Sequence, residues 1–107
     1  MIRVSLSGDA LKQNMSETYQ MQTGYINEHR YWKSMLGNVI WYEDGNWNIG
    51  SSETLGTILP GRNVSLYLSV DDPTRCPHEK LHSKWYYYNG SEFAEDTDNQ
   101  VSVQCVT

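Results

Sequence analysis

An alternation of period two constrains this sequence more than any other feature. Val64, Leu66, Leu68 and Val70 alternate with Ser65, Tyr67 and Ser69. An extended chain there carries every aliphatic side chain on one face. Val101, Val103 and Cys105 alternate with Ser102 and Gln104 in the same way, which points Cys105 toward the core with the two valines. Ile2, Val4 and Leu6 alternate with Arg3 and Ser5. Helical spacing is nearly absent. Only Ser7 to Tyr19 offers a thin stripe, Ala10, Leu11 and Met15, with Gly8-Asp9 as its cap. That segment reads equally as a loop.

The middle of the chain is a hairpin. Asp44-Gly45 is a strong two-residue turn signal, and it predicts a register of Glu43 with Asn46, Tyr42 with Trp47, Trp41 with Asn48 and Ile40 with Ile49. Ile40, Tyr42, Trp47 and Ile49 then share the core face, while Val39, Trp41 and Asn48 share the other. Upstream, Tyr19 to Gln22 and Arg30 to Met35 read as strands around a loop at Thr23 to Glu28. Downstream, Lys84 to Tyr88 turns at Asn89-Gly90 and returns through Ser91 to Ala94. Pro60-Gly61, Asp71-Asp72-Pro73 and Cys76-Pro77 interrupt the strands. The expected fold is all-β: one domain over 1–107, an antiparallel sandwich or barrel-like meander of about seven to nine short strands.

Charge and hydropathy narrow the function. The net charge is -5 with no basic run, which argues against nucleic acid and anionic membrane surfaces. No apolar stretch approaches the roughly 20 residues of a membrane span, so no membrane insertion is expected. The first residues, Met1 to Leu6, do not read as a signal peptide. A secreted protein with this sequence would be a mature chain or an excised domain.

The cysteines and sequons point to an oxidising, extracellular or cell-surface setting. Cys76 and Cys105 are the only two cysteines, and neither sits in a Cys-x-x-Cys motif. Bridging them closes a loop of about 30 residues and contributes roughly 3.5 kcal/mol on chain entropy. Asn14, Asn63 and Asn89 each begin an Asn-x-Ser sequon, a candidate glycosylation site.

Tyr31-Trp32, Ile40-Trp41-Tyr42, Trp47-Asn48-Ile49-Gly50, Leu55-Gly56, Cys76-Pro77, Trp85-Tyr86-Tyr87-Tyr88 and Val103-Gln104-Cys105 together resemble the small Trp/Tyr-rich β modules of secreted and cell-surface proteins in invertebrates and protists. The resemblance covers residues 19–105. It implies an extracellular module whose cysteine pair closes the C-terminal part, and it brings no catalytic residues.

Residues suited to chemistry are few. Cys76, His78 and His82 have zinc-ligand chemistry, but Cys76 is better used by Cys105, and no metal site is assigned there. Glu95, Asp96 and Asp98 are calcium candidates in a run that starts like an EF-hand loop and then departs from it at Gln100 and Val101. The default for that run is a solvated acidic loop. No nucleophile, P-loop or dinucleotide motif occurs, so a non-enzyme without cofactor is expected.

The aromatics carry the functional expectation. Eight Tyr and four Trp stand against one Phe. Such residues combine apolar area with a polar handle and are favoured at recognition surfaces. In Trp85-Tyr86-Tyr87-Tyr88 the pleat splits the pairs, and Trp85 with Tyr87 is expected inside. Tyr86, Tyr88 and Trp41, with Asn48 beside them and Trp32 as a further member, are the candidate binding residues. The expected function is an adhesion-type module that recognises a protein partner. The alternative is a lectin-like glycan binder, because exposed rings also stack on sugars. The sequence does not fix the oligomeric state.

Overall fold

A computed structural model describes residues 1–8, 15–43, 45–51, 64–69, 85–89, 91–97 and 99–105. Nine strands follow in chain order: β1 (Ile2–Leu6), β2 (Glu17–Met21), β3 (Trp32–Ser34), β4 (Asn38–Glu43), β5 (Asn46–Ser51), β6 (Val64–Ser69), β7 (Trp85–Tyr88), β8 (Phe93–Glu95) and β9 (Val101–Cys105). They form one antiparallel sheet in the order β8-β7-β6-β5-β4-β3-β2-β1-β9. The all-β expectation therefore holds, and the described residues contain no α-helix. The thin helical stripe gives way to strand at Glu17, and Asp9 to Asn14 lie outside the described residues. Val70 lies outside them as well.

The Asp44-Gly45 hairpin has the predicted register in full: Ile40 faces Ile49, Trp41 faces Asn48, Tyr42 faces Trp47 and Glu43 faces Asn46. Gly45 takes φ 79°, the left-handed geometry such a turn requires. The turn between β3 and β4 is closed by the Gly37 N–H donating to Ser34 O at 3.1 Å, with Gly37 at φ 91°. The Asn38 N–H also donates to Ser34 Oγ at 3.0 Å.

One face of the sheet carries the core. Ile2, Val4, Tyr19, Ile40, Trp47, Ile49, Leu66, Leu68, Trp85 and Val101 are buried together. Trp47 is gripped on two sides by edge-to-face rings, Trp32 at 5.6 Å and Tyr42 at 5.5 Å. Of the two pairs that alternation separates, Trp85 and Tyr87 point inward, as expected for the pair with the larger ring. β9 fades from this face along its length: Val101 is buried, Val103 half-buried and Cys105 exposed. The expectation that Cys105 lies in the core is therefore corrected. It has the phase of the valines, but it ends an edge strand where the sheet no longer covers it.

The sheet curls into a half-barrel because its two edge strands are consecutive in the chain. Laid flat, eight inter-strand gaps of about 4.8 Å would hold β8 and β9 roughly 38 Å apart. Yet only residues 96–100 join them. Asp96, 1% exposed, fixes the join. Its Oδ1 accepts the Gln100 N–H at 2.8 Å and its Oδ2 accepts the Val101 N–H at 2.9 Å. Its own N–H donates to Trp85 O at 2.9 Å, and the Ser7 N–H donates to Gln100 O at 2.9 Å. The start of β9 is thereby tied to both β7 and the end of β1.

Two outcomes follow from these anchors. Asp96→Ala strands one buried and one part-buried N–H group and should lower unfolding free energy by roughly 1–3 kcal/mol, read from urea denaturation, with hydrogen exchange accelerated in β9 first. An unchanged midpoint would show that the join does not hold the fold. The second concerns alkaline pH. The Tyr19 hydroxyl donates to Met15 O at 3.0 Å inside the core. Burial, with the Glu17 carboxylate beside it, pushes its phenol well above the ordinary value of 10.0. The folded state thus favours neutral Tyr19. That contribution is complete below about pH 10 and is lost as pH rises from there toward the folded value. Denaturation at pH 8 and pH 11 should show a steeper loss for the native chain than for Tyr19→Phe.

Candidate functional site

The pleat that buries Trp47 and Trp85 sends their strand neighbours to the opposite, outer face. Cross-strand pairing lines them up: Trp41 faces Asn48, Asn48 faces Tyr67, Tyr67 faces Tyr86 and Tyr86 faces Glu95. One row therefore crosses the sheet from β4 to β8. Tyr88 and Phe93 face each other one step along. Three of the predicted binding residues, Trp41, Asn48 and Tyr86, do share this row, and Tyr88 lies beside it.

The row has two unlike halves. At the β4 end it is covered. Trp41 is 1% exposed and packs with Val39 under Ile26, Tyr31 and Tyr67. The expectation of an exposed Trp41 is corrected by the segment that covers it, residues 22–31. That segment is a miniature hairpin. Ile26 and His29 exchange backbone hydrogen bonds at 2.9 and 3.0 Å, and the Gln22 N–H donates to Tyr31 O at 2.9 Å. Asn27 and Glu28 make the turn at φ 53° and 68°, the two left-handed residues of a type I′ turn. Asn27 Nδ2 donates to Tyr42 O at 3.0 Å, and the His29 ring meets Tyr42 edge-on at 4.8 Å. These contacts strap the segment to β4. The Trp41 Nε1–H has no acceptor among the described residues, so apolar area holds this side chain.

Asn48 is buried too. Its amide donates to Asn46 O at 3.1 Å and Glu43 O at 3.4 Å, which bends its hydrogen-bonding capacity inward to the hairpin. Trp32 leaves the site altogether. It faces Ile40 on the core side and packs on Trp47.

At the β8 end the row is open. Tyr67 and Tyr86 stack with centroids 4.9 Å apart and planes 4° from parallel. Phe93 meets Tyr67 edge-on at 5.0 Å and Tyr88 edge-on at 5.5 Å. Tyr88 is 38% exposed and Phe93 36%. Partial burial, with the Tyr86 ring beside it, pushes the Tyr67 phenol up from its ordinary value. Tyr67 and Phe93 are members that sequence reasoning missed. The signals were present: Tyr67 sits on the polar phase of the cleanest alternation, and Phe93 opposes Tyr88 across the Asn89-Gly90 turn.

The remaining candidates fall elsewhere. Both Asp96 oxygens accept backbone N–H groups. Its carboxylate serves the turn. Glu95 is exposed on β8, and Asp98 lies outside the described residues. Among the described residues no group of three or more His, Cys, Asp or Glu could hold a metal ion. Asn89 is exposed, and its Oδ1 accepts the Ser91 and Glu92 N–H groups at 2.9 and 3.0 Å. Asn14, Asn63, Cys76, His78 and His82 lie outside the described residues. Compared with known proteins, the chain matches no family model, no curated protein and no solved structure at a significant level.

The split row sets a mutational asymmetry. Trp41→Ala should destabilise the fold by about 3–5 kcal/mol, as for a large buried ring, and Tyr88→Ala by less than about 1 kcal/mol. Similar costs for the two would show that residues 22–31 do not cover Trp41 in solution. Glu28→Gly should raise stability by roughly 0.5–1 kcal/mol, because only the non-glycine residue is strained at that φ.

Proposed function

We propose that the chain is a non-enzymatic, extracellular-type binding module that recognises a protein partner through the open half of the outer row. The observation that supports this reading is the packed set Tyr67, Tyr86, Tyr88 and Phe93, with Tyr88 and Phe93 each more than a third exposed. Rings braced by other rings lose little conformational freedom on binding, and such aromatics serve as interface anchors. A sugar needs an open ring face to stack on. Here one face of Tyr67 and one of Tyr86 are taken up by their mutual stack, and Phe93 crowds Tyr67 and Tyr88 at angles of 65°; this narrows what a sugar can stack on and favours a protein partner over a glycan. The likeness to secreted Trp/Tyr-rich β modules points the same way. In this reading the meander is barrel-like, open between β8 and β9, and braced by a Cys76–Cys105 bridge.

A photo-crosslinking residue at position 88, with one at Lys33 as control, tests the surface in medium from the native setting. A protein captured at 88 and not at 33, and lost in the Phe93→Ser variant, is the expected result. A positive glycan array abolished by Phe93→Ser would replace the protein partner with a sugar. Thiol titration of the unfolded, unreduced chain should find no thiol, and two thiols would remove the bridge.

A further inference from the structure

The open half of the row ends at a strand with one neighbour. β8 is terminal in the sheet and pairs only with β7 among the described residues. The hydrogen bonds of this hairpin say which backbone groups remain. The Asn89 N–H donates to Glu92 O, and the Asp96 N–H to Trp85 O, both at 2.9 Å. Antiparallel pairs alternate between bonded and non-bonded. Tyr87–Ala94 is therefore a bonded pair, and Tyr88–Phe93 and Tyr86–Glu95 are not. The N–H and C=O groups of Phe93 and Glu95 point away from β7, and no partner reaches them among the described residues.

Side chains along this edge alternate in a readable way. Phe93 and Glu95 lie on the outer face and are exposed, while Ala94 lies on the core face, half-buried against the core. Among the described residues of this hairpin and the segment that follows it, the charges carry one sign. From Trp85 to the last residue the sequence holds Glu92, Glu95, Asp96 and Asp98 and no Lys, Arg or His. Glu92 and Glu95 are exposed.

We propose that the β8 edge is a strand-addition site for an extended basic segment of the partner protein. The inference rests on the outer-row reading and gives the partner its chemistry. An added antiparallel strand completes the four open backbone groups of Phe93 and Glu95. Opposite Phe93 it places an aromatic side chain, which extends the Tyr88–Phe93 ring contact. Opposite Ala94 it places an aliphatic side chain, which covers the core where the small alanine leaves it thin. Opposite Glu95 it places Lys or Arg. Read from its N-terminus, the partner segment is basic-aliphatic-aromatic. A second copy of the chain fits poorly, since pairing two β8 strands brings the exposed Glu92 and Glu95 of both copies together and neither strand supplies a basic side chain.

A blocked synthetic peptide with a Lys-Val-Phe core, labelled for fluorescence anisotropy and titrated with the full chain, tests this. N-methylation of the peptide's Phe removes a hydrogen bond to the edge and should weaken binding by about tenfold or more. N-methylation of its Val, whose N–H faces away, should leave binding unchanged. Glu95→Lys should weaken the Lys-Val-Phe peptide and strengthen a Glu-Val-Phe one. No binding, or equal effects of the two methylations, would overturn strand addition. Dimerisation through β8, seen by sedimentation and abolished by Glu95→Pro, would also overturn it. The crosslink at position 88 is read separately: its persistence alongside a failed peptide leaves the outer-row reading standing, and its absence removes that reading itself.

Discussion

The fold depends on one carboxylate. A nine-stranded meander twists through the intrinsic twist of its strands, but no single hairpin brings its two edges toward each other. Curling is imposed where the first and last edges must meet, and Asp96 is placed there. It is buried, and it accepts two backbone N–H groups in a segment that has no ladder to supply acceptors. A charged acceptor suits that task, since hydrogen bonds to an ionised group are the stronger kind. The burial of a charge is offset by those bonds and by the backbone bond to Trp85. Once the join is made, residues from β1 and β7, far apart in sheet order, enter one core: Ile2 and Val4 pack in the same cluster as Trp85.

The core and the outer row then become two solutions to one problem. The chain carries more aromatic surface than a single concave face can hold. The pleat sends half of it outward, where each ring must find cover or remain part-wet. At β4 the cover is the hairpin of residues 22–31. It has enough apolar reach, through Ile26 and Tyr31, to bury Trp41 and Val39. At β6 to β8 the rings cover one another instead, and such mutual cover leaves their outer edges exposed.

What the sequence made legible was phase, and what it hid was cover. The Asp44-Gly45 signal set the register of β4 and β5, and alternation split Trp85 and Tyr87 from Tyr86 and Tyr88, because both depend on neighbours in sequence; the size of Trp85 then chose the inward pair. Trp41 was assigned the right face and the wrong exposure. A pleat fixes direction, whereas burial on an outer face depends on a segment arriving from elsewhere. The sequence marked that segment only as a loop at Thr23 to Glu28; its turn at Asn27-Glu28 is left-handed without glycine, so nothing marked it as a hairpin that folds over β4. Trp32 shows the complementary failure: its strand is only three residues long, too short for alternation to assign a face. Asp96 was read with its acidic neighbours as a possible ligand set, since its partners are backbone N–H groups that no letter of the sequence reports.

The contrast between β8 and the rest of the sheet carries the functional argument one step further. An open edge is a hazard, and natural sheets blunt it with short strands and charge. β8 has both devices, three residues and an exposed Glu95. Yet an edge protected only against self-pairing would gain nothing from a large exposed ring, and Phe93 stands on it in contact with Tyr67 and Tyr88. Charge repels another copy of the same acidic edge and attracts a basic strand, while the ring rewards any strand that comes close enough to cover it. Together the two features discriminate by sign of charge first and by shape second. Specificity of that kind rests on repelling the wrong partner as well as on contact with the right one.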